Sequence, residues 1–407
     1  MRKSLGMTML ATAVGLGLAT SAFAADTETK FGSSGLELKS GDYSMKLSSV
    51  FQTRLNIVDN HNGGSPSANE GDSVNWNIRR FKTTFAGTIF DKDKWSYSAT
   101  LAWNSDNTGR MIETAYVGYQ LADGIKLGMG REKLKFNLEE YTSSSRLTFV
   151  DRSDANEMFN NDFATGVWMS GAQAVGDGKV HYNLGIYNGT SNGNAGQNRD
   201  FGTGNMRNAF MINARLGFTP FSDGKNISAY QSDLRKDGER DLDLYVGLGL
   251  NYQMLNNGEI AILTDAGENN KGTVAAAVLD TRIHWEGLSV NVSYFNRSIS
   301  VDRNDDTIAG VRGGTNASAL QLTAGYNMNL EGDDQLEFAF KYGMVNDDDN
   351  GGVIGTDREE SGLAVNYRFN KDKLKATFDA NYLETEAHGA YAVTPTWNFR
   401  FQVQIKW

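Results

Sequence analysis

The 407-residue chain carries 39 Lys and Arg against 49 Asp and Glu, a net charge of −10, with 45 glycines, three prolines and no cysteine. The missing cysteines exclude a small disulfide-stapled scaffold. An acidic chain without a contiguous basic patch also gives no support to nucleic-acid binding.

At the N-terminus Arg2 and Lys3 precede an apolar run from Met7 to Leu18 and the small-residue pattern Ala22-Phe23-Ala24. This is the layout of a secretory signal peptide over 1–24, with cleavage expected after Ala24 and a single exported domain over 25–407. Its removal lowers Lys and Arg from 39 to 37 against 49 acids, a net charge of −12. Beyond it no apolar stretch is long enough to span a bilayer as a helix.

From there the chain alternates apolar and polar residues with a period of two, which predicts strands. Sixteen segments carry the pattern: 43–58, 76–90, 95–104, 111–120, 125–132, 164–172, 179–188, 208–218, 241–252, 274–286, 288–298, 317–328, 334–345, 360–369, 373–384 and 397–407. Pro66, Pro220 and Pro395 fall outside them or at their edges, as ladder hydrogen bonding requires. The last segment is the clearest. Trp397, Phe399, Phe401, Val403, Ile405 and Trp407 share one face, and Asn398, Arg400, Gln402, Gln404 and Lys406 the other.

Alternation alone fits a soluble sandwich as well as a membrane barrel, but the connections separate the two. Short turns at 91–94, 121–124, 287, 329–333 and 370–372 take turns with long polar loops at 59–75, 133–163, 189–207, 253–273, 299–316 and 346–359. Sorting by parity is the mark of an outer-membrane barrel with both termini on the periplasmic side, so the expected fold is an all-β, 16-stranded antiparallel transmembrane β-barrel. One connection, 219–240, breaks the rule: it falls on the short side yet is long and charged, and reads as an insertion or a missed hairpin. Aromatics such as Trp95, Tyr119, Trp285, Tyr367, Tyr382 and Trp397 sit near strand ends, where interfacial girdles are expected.

Within 133–163 the segment Lys135 to Ser153 has helical rather than strand character and is long enough to fold into the barrel and narrow it. Gly130-Arg-Glu-Lys133, Phe136-Asn-Leu-Glu-Glu140, Thr142-Ser-Ser144 and Asp151-Arg-Ser153 resemble the third-loop signature of the phosphate-selective porin O and P family. Gly35 to Ser44, Arg79-Arg80, Ala115-Tyr-Val-Gly-Tyr119 and Val403-Gln-Ile-Lys-Trp407 extend the resemblance over most of the exported chain. The resemblance implies a homotrimer of 16-stranded barrels in the bacterial outer membrane, surrounded by lipid and lipopolysaccharide. In each barrel a third loop constricts the pore and basic side chains conduct small anions. It places the paired arginines on Arg79 and Arg80, the basic residue opening the loop on Lys133, and the closing arginine on Arg152. Lys135 stands where the family has proline, and Leu134 replaces a polar residue.

Strand parity reads the lining independently. The inward basic residues are Lys46, Arg54, Arg80, Lys82, Lys126, Arg215, Arg282, Arg297, Lys341, Arg368, Lys375, Arg400 and Lys406. The inward acids are Glu132, Asp241, Asp243, Asp280, Glu286, Glu337, Glu360 and Asp379. Excess acid lies in loops, where charge is screened within about 8 to 10 Å, while a narrow lumen feels its own wall. Anion passage is the expectation, with Arg54, Arg80, Lys82, Lys126, Lys133, Arg152, Arg282, Lys341 and Arg400 as candidate anion-contacting residues. Lys135, Glu139, Glu140 and Arg146 are candidate constriction residues in the third loop. If Glu139, Glu140 and their acidic neighbours face the pore they oppose anions, which leaves a general or cation-preferring porin open, as well as a barrel whose acidic loops bind a surface partner.

Other chemistry finds little. His61, His181, His284 and His388 are scattered with no serine–histidine motif, so no enzyme is expected. The acidic runs 302–306 and 347–350 lack the spacing of a calcium loop and read as solvated tips, and neither a cofactor nor a metal is expected.

Overall fold

The computed structural model describes residues 27–32, 35–60, 72–103, 112–188, 210–255, 271–302, 315–347, 356–369, 372–387 and 392–407. Residues 1–24, where a signal peptide is expected, His61, His388 and most of the two acidic runs lie outside them.

The barrel is built from strands β3 (Tyr43–Asn60), β4 (Ser73–Thr88), β5 (Trp95–Ala102), β6 (Ile112–Ala122), β7 (Ile125–Lys133), β8 (Phe163–Val175), β9 (Gly178–Asn188) and β10 (Phe210–Thr219). It continues through β11 (Asp243–Leu255), β12 (Lys271–Trp285), β13 (Leu288–Asp302), β14 (Thr315–Asn329), β15 (Gln335–Asp347), β16 (Thr356–Phe369), β17 (Leu374–Ala387) and β18 (Ala392–Lys406). Each pairs antiparallel with its sequence neighbours, and β18 closes onto β3 from Thr396 opposite Asn60 to Lys406 opposite Val50. All sixteen expected segments are strands, with ends shifted by a few residues. Pro395 corrects the proline rule, since it lies inside β18 opposite Glu384.

Two short strands escaped the sequence reading: β1 (Glu28–Gly32) and β2 (Gly35–Ser40) form an N-terminal hairpin. β2 pairs with Tyr43 to Leu47 of β3, the part of that strand that runs past the end of β18. The hairpin thus fills the step left at the seam where the staggered barrel closes.

Outward residues such as Trp76, Leu184, Leu216, Leu248, Leu279, Phe338 and Leu363 are exposed, and the lumen side holds the buried polar groups. This inverts a soluble protein, as a lipid-facing wall demands. At the turn end Trp95 packs on Tyr119 at 4.9 Å, and at the other end Tyr382 packs on Trp397 at 5.0 Å.

Of three register shifts among the described strands, one lies at the β6–β7 turn between Gln120 and Ala122, and the other two redirect charged side chains. Gln52 pairs with Arg80 but Thr53 with Ile78, so Arg79 is the extra residue of a bulge. Likewise Thr100 pairs with Thr114 but Leu101 with Ile112, which makes Glu113 the extra residue. A bulge breaks strict alternation locally and lets consecutive side chains turn to one face. Two expected inward acids lie off the strands: Asp241 is exposed ahead of β11, and Glu286 is exposed in the β12–β13 turn with φ of 50°, followed by Gly287 at 85°. That pair makes the two-residue turn of a tight hairpin.

Candidate functional site

The third long connection, 134–162, folds into the lumen because its own sequence gives it an apolar underside. Phe136, Ala155 and Phe159 pack with Ala276, Val278, Phe295, Ala317, Ala319 and Val345 from the inner faces of β12 to β15. Leu134 joins Ala164, Trp168, Tyr187 and Met211. Phe149 meets Ala339 and Ala364. Leu134, which departs from the family pattern, is therefore an anchor. Gly249 lets the loop backbone come close, since a Cβ there would lie 2.0 Å from the Phe136 carbonyl oxygen.

The loop holds short helices at Leu138–Tyr141 and Asp154–Phe159 and a 3-10 turn at Ser144–Arg146. The Asn137 side chain caps the first by accepting from Glu140 N at 2.7 Å, and Ser153 Oγ caps the second from Asn156 N at 3.1 Å. Backbone groups left over need partners away from water, and inward wall side chains supply them. Arg215 donates to the Phe136 carbonyl at 2.7 Å, Asp280 accepts from Leu138 N at 2.9 Å, and Arg297 donates to the Met158 carbonyl at 3.0 Å. Lys375 donates to the Leu147 carbonyl at 2.9 Å, Asp379 accepts from Val150 N at 2.9 Å, and Glu360 accepts from Asp154 N at 2.9 Å.

The 219–240 connection is an inward-folded segment rather than a turn. Its helix Lys225–Ala229 buries Ile227 against Leu138 and Tyr245. Gln231 accepts from Thr148 N at 2.8 Å, and Ser232 bonds Thr148 Oγ1 at 3.1 Å, so the segment reaches the loop from the turn end. Arg282 ties both together, donating to the carbonyls of Ile227 at 2.8 Å and Tyr230 at 2.7 Å and to Thr142 Oγ1 at 3.2 Å. Arg146 stacks over the Tyr230 ring, 4.6 Å from its centroid. His284 is buried beside the Gln231 carbonyl, not pore-facing.

On the opposite arc, basic side chains keep contact with water. Arg54 on β3, Arg79 and Arg80 on β4 and Arg400 on β18 surround Asp151 of the loop. Next to them Lys82 pairs with Glu113, and Lys133 and Arg152 hold Glu140 at 2.6 and 2.9 Å. Burial would raise the Asp151 carboxyl, but Arg400, Arg79, Arg54 and Arg80 outweigh it and hold it well below the ordinary carboxylate range. Glu140 is likewise pulled down to about 2 by Arg152 and Lys133 against its burial. Asp162 goes the other way: burial, then the neighbouring Glu140 charge, push it up to about 7.

The candidate residues therefore divide. Arg54, Arg80, Lys82, Lys133, Arg152 and Arg400 come together in one cluster. Arg282 and Lys341 do not join it: both are 1 % exposed, with Lys341 paired to Glu360 and lying over the Phe149 ring. Lys126 stands apart on β7 over Tyr116, and Lys135 lies over Tyr141. Lys46 is exposed on β3 beyond the end of β18. Glu139 is buried and accepts from Ser153 N and Oγ, so it does not oppose anions in open water. Parity missed Arg79 and Glu113, because a bulge has no signature in a two-residue period. Asp151 was visible as the first residue of the Asp151-Arg-Ser153 motif, but nothing in the sequence paired it with Arg54, Arg79, Arg80 and Arg400.

The family described as phosphate-selective porin O and P matches residues 51–391. No curated protein sequence matches the chain. Among solved structures, an anion-selective porin from Comamonas acidovorans is similar at 11% identity and a TM-score of 0.53, covering 90% of this chain and 100% of its own. The outer membrane channel DcaP of Acinetobacter baumannii is similar at 10% identity and 0.54, covering 92% and 100%. A trimer form of OmpT from Vibrio cholerae is similar at 14% identity and 0.51, covering 90% and 99%. At these identities the structures speak for the fold alone.

Proposed function

Since the chain belongs to the phosphate-selective porin O and P family, and is therefore a porin of the bacterial outer membrane, we propose that it lets small anions diffuse passively past the water-contacting arc of β18, β3 and β4. The observation that carries this is the charge balance there. Arg54, Arg79, Arg80, Lys82, Lys133, Arg152 and Arg400 share Glu113, Glu140, Asp151 and Asp379, so that in direct ion pairs seven cations meet four carboxylates. Surplus positive charge on a low-dielectric wall raises the local anion concentration, and arginine replaces part of an anion's hydration. Of the loop acids, Glu139 is bound to Ser153 and Glu140 to Lys133, Arg152 and Asn156, which takes both out of open water, while Glu157 stays exposed.

The test is the reversal potential of the purified protein in a planar bilayer under a potassium chloride gradient. Reversal on the anion side is expected, and reversal on the cation side would reject the reading in favour of a cation-preferring porin.

Three further proposals accompany it: cleavage of the signal segment after Ala24, contact with lipid and lipopolysaccharide through the outward apolar face, and assembly as a homotrimer. The short strands β5, β6 and β7, of 8, 11 and 9 residues, support the trimer, because β12 to β14 have 15 and a lower wall suits contact between copies over contact with lipid.

A further inference from the structure

The anion path already has an occupant. Loop 3 places the Asp151 carboxylate among four guanidinium groups from three adjacent strands. Arg54 and Arg400 reach Oδ2 at 2.5 and 3.1 Å, while Arg79 and Arg80 approach Oδ1 at 3.4 and 4.0 Å. Each oxygen is thus addressed by its own pair of arginines, which suits a planar two-oxygen group. The bulge at Arg79 is what makes the second pair, since strict alternation would turn that residue away. The seat is open to water: the Asp151 side chain is 25% exposed and that of Arg79 29%. Arg400 is also held by Asp379 at 2.7 Å, so four positive charges meet two negative ones in direct contact.

We infer that this socket binds small carboxylate solutes and that Asp151 is its tethered competitor. The inference rests on the anion-path reading above and names the solute class. A solute carboxylate takes the place of the Asp151 side chain among the same donors, so the exchange leaves the charge of the seat unchanged. Inorganic phosphate would bring two further oxygens into a seat shaped around a carboxylate. Tethering also explains how a four-arginine site can conduct. A group on a short linker acts at an effective concentration in the roughly millimolar range, so the solute is displaced when Asp151 returns. Conduction needs binding that is weak in this sense.

The experiment uses the full protein in a planar bilayer, with chloride current titrated by succinate and, separately, by inorganic phosphate, for wild type and Asp151→Asn. In wild type, half-block by succinate is expected at a lower concentration than half-block by phosphate. In Asp151→Asn the succinate half-block falls by about tenfold, as removal of a tethered competitor predicts, and the phosphate half-block changes far less. Equal strengthening for both anions would overturn the proposal, because the socket would then read charge and not shape; so would no change for either. If the substitution releases the loop, seen as a rise in single-channel conductance, the wild-type comparison decides alone, and phosphate blocking at or below the succinate concentration overturns the proposal. The reversal potential in potassium chloride reports separately on the anion path, so the two readings fail in distinguishable ways.

Discussion

The inner wall has two arcs built from the same kinds of residue. Along β18, β3 and β4, Arg54, Arg79, Arg80 and Arg400 converge on one loop carboxylate and remain in contact with water, Arg79 most of all. Along β10 to β17, Arg215, Arg282, Arg297, Lys341, Arg368 and Lys375 are buried. There Arg215 pairs with Asp280 at 2.6 Å and Arg368 with Glu337 at 2.6 Å, while Arg282 and Lys375 donate to backbone carbonyls. All are inward basic residues on strands. The difference is what lies against them: loop 3 and the 219–240 segment cover the second arc and draw its charges into satisfying their backbone and side chains. A lumen arginine therefore serves conduction or architecture according to what covers it.

That contrast predicts a dissociation, with stability effects on the covered arc and selectivity effects on the open one. The largest effect belongs to Asp280→Ala, which leaves Arg215 buried without its carboxylate and removes the acceptor of Leu138 N. Breaking a buried pair this way costs about 3–5 kcal/mol. The temperature at which the barrel unfolds in detergent should fall sharply while the chloride-over-potassium ratio barely moves. A large change in that ratio would break the comparison.

Phe136→Ala should be nearly as damaging to the loop. Truncating a fully buried Phe costs about 3–5 kcal/mol, and Phe136 anchors loop 3 on β12 to β15. Faster proteolytic cleavage within 134–162 and a higher single-channel conductance are expected; an unchanged conductance would mean that the loop does not narrow the pore.

On the open arc, Arg79→Ala combined with Arg80→Ala should leave the unfolding temperature close to wild type but lower the anion-over-cation ratio. Two unit charges about 4 Å apart in water interact by about 1 kcal/mol, so removal of both arginines, about 2 kcal/mol together, should cost roughly thirtyfold in that ratio. An unaltered ratio would show that the path runs elsewhere.

The smallest effect is a dependence on pH. Asp162 has its pKa raised from 3.8 to about 7, so the fold favours its protonated form. Its contribution to stability is full at low pH and declines as pH rises through that window. The proton lost near pH 7 adds a negative charge beside Lys133 and Arg152, so anion preference should be about twofold lower at pH 8 than at pH 6, given partial screening. Asp162→Asn should abolish the difference, and an identical pH profile in that variant would assign the titration to another group.

Much of the barrel was legible because its signals are local. The β12–β13 turn shows the limit of that legibility: parity carried the strand one residue too far, onto Glu286, whose left-handed backbone belongs to the turn. β1 and β2 were missed because five and six residues are too few for alternation to stand out. The 219–240 segment could be seen as anomalous but not placed, since its partners Thr148, Arg282 and Asn327 lie 52 to 94 positions away in the chain.

The sequence by itself determined the sixteen crossing segments, the side to which most of their residues point away from bulges and strand ends, and the sorting of most long and short connections. These follow from a two-residue side-chain period and from punctuation by turn residues, both properties of neighbouring residues. Only the tertiary structure decided which inward charges meet water. That choice depends on where the apolar underside of loop 3 finds its complement, on β12 to β16, and on bulges that bring Arg79 and Glu113 into play. Both arise from packing and hydrogen-bond satisfaction between segments far apart in the chain, which no local period records.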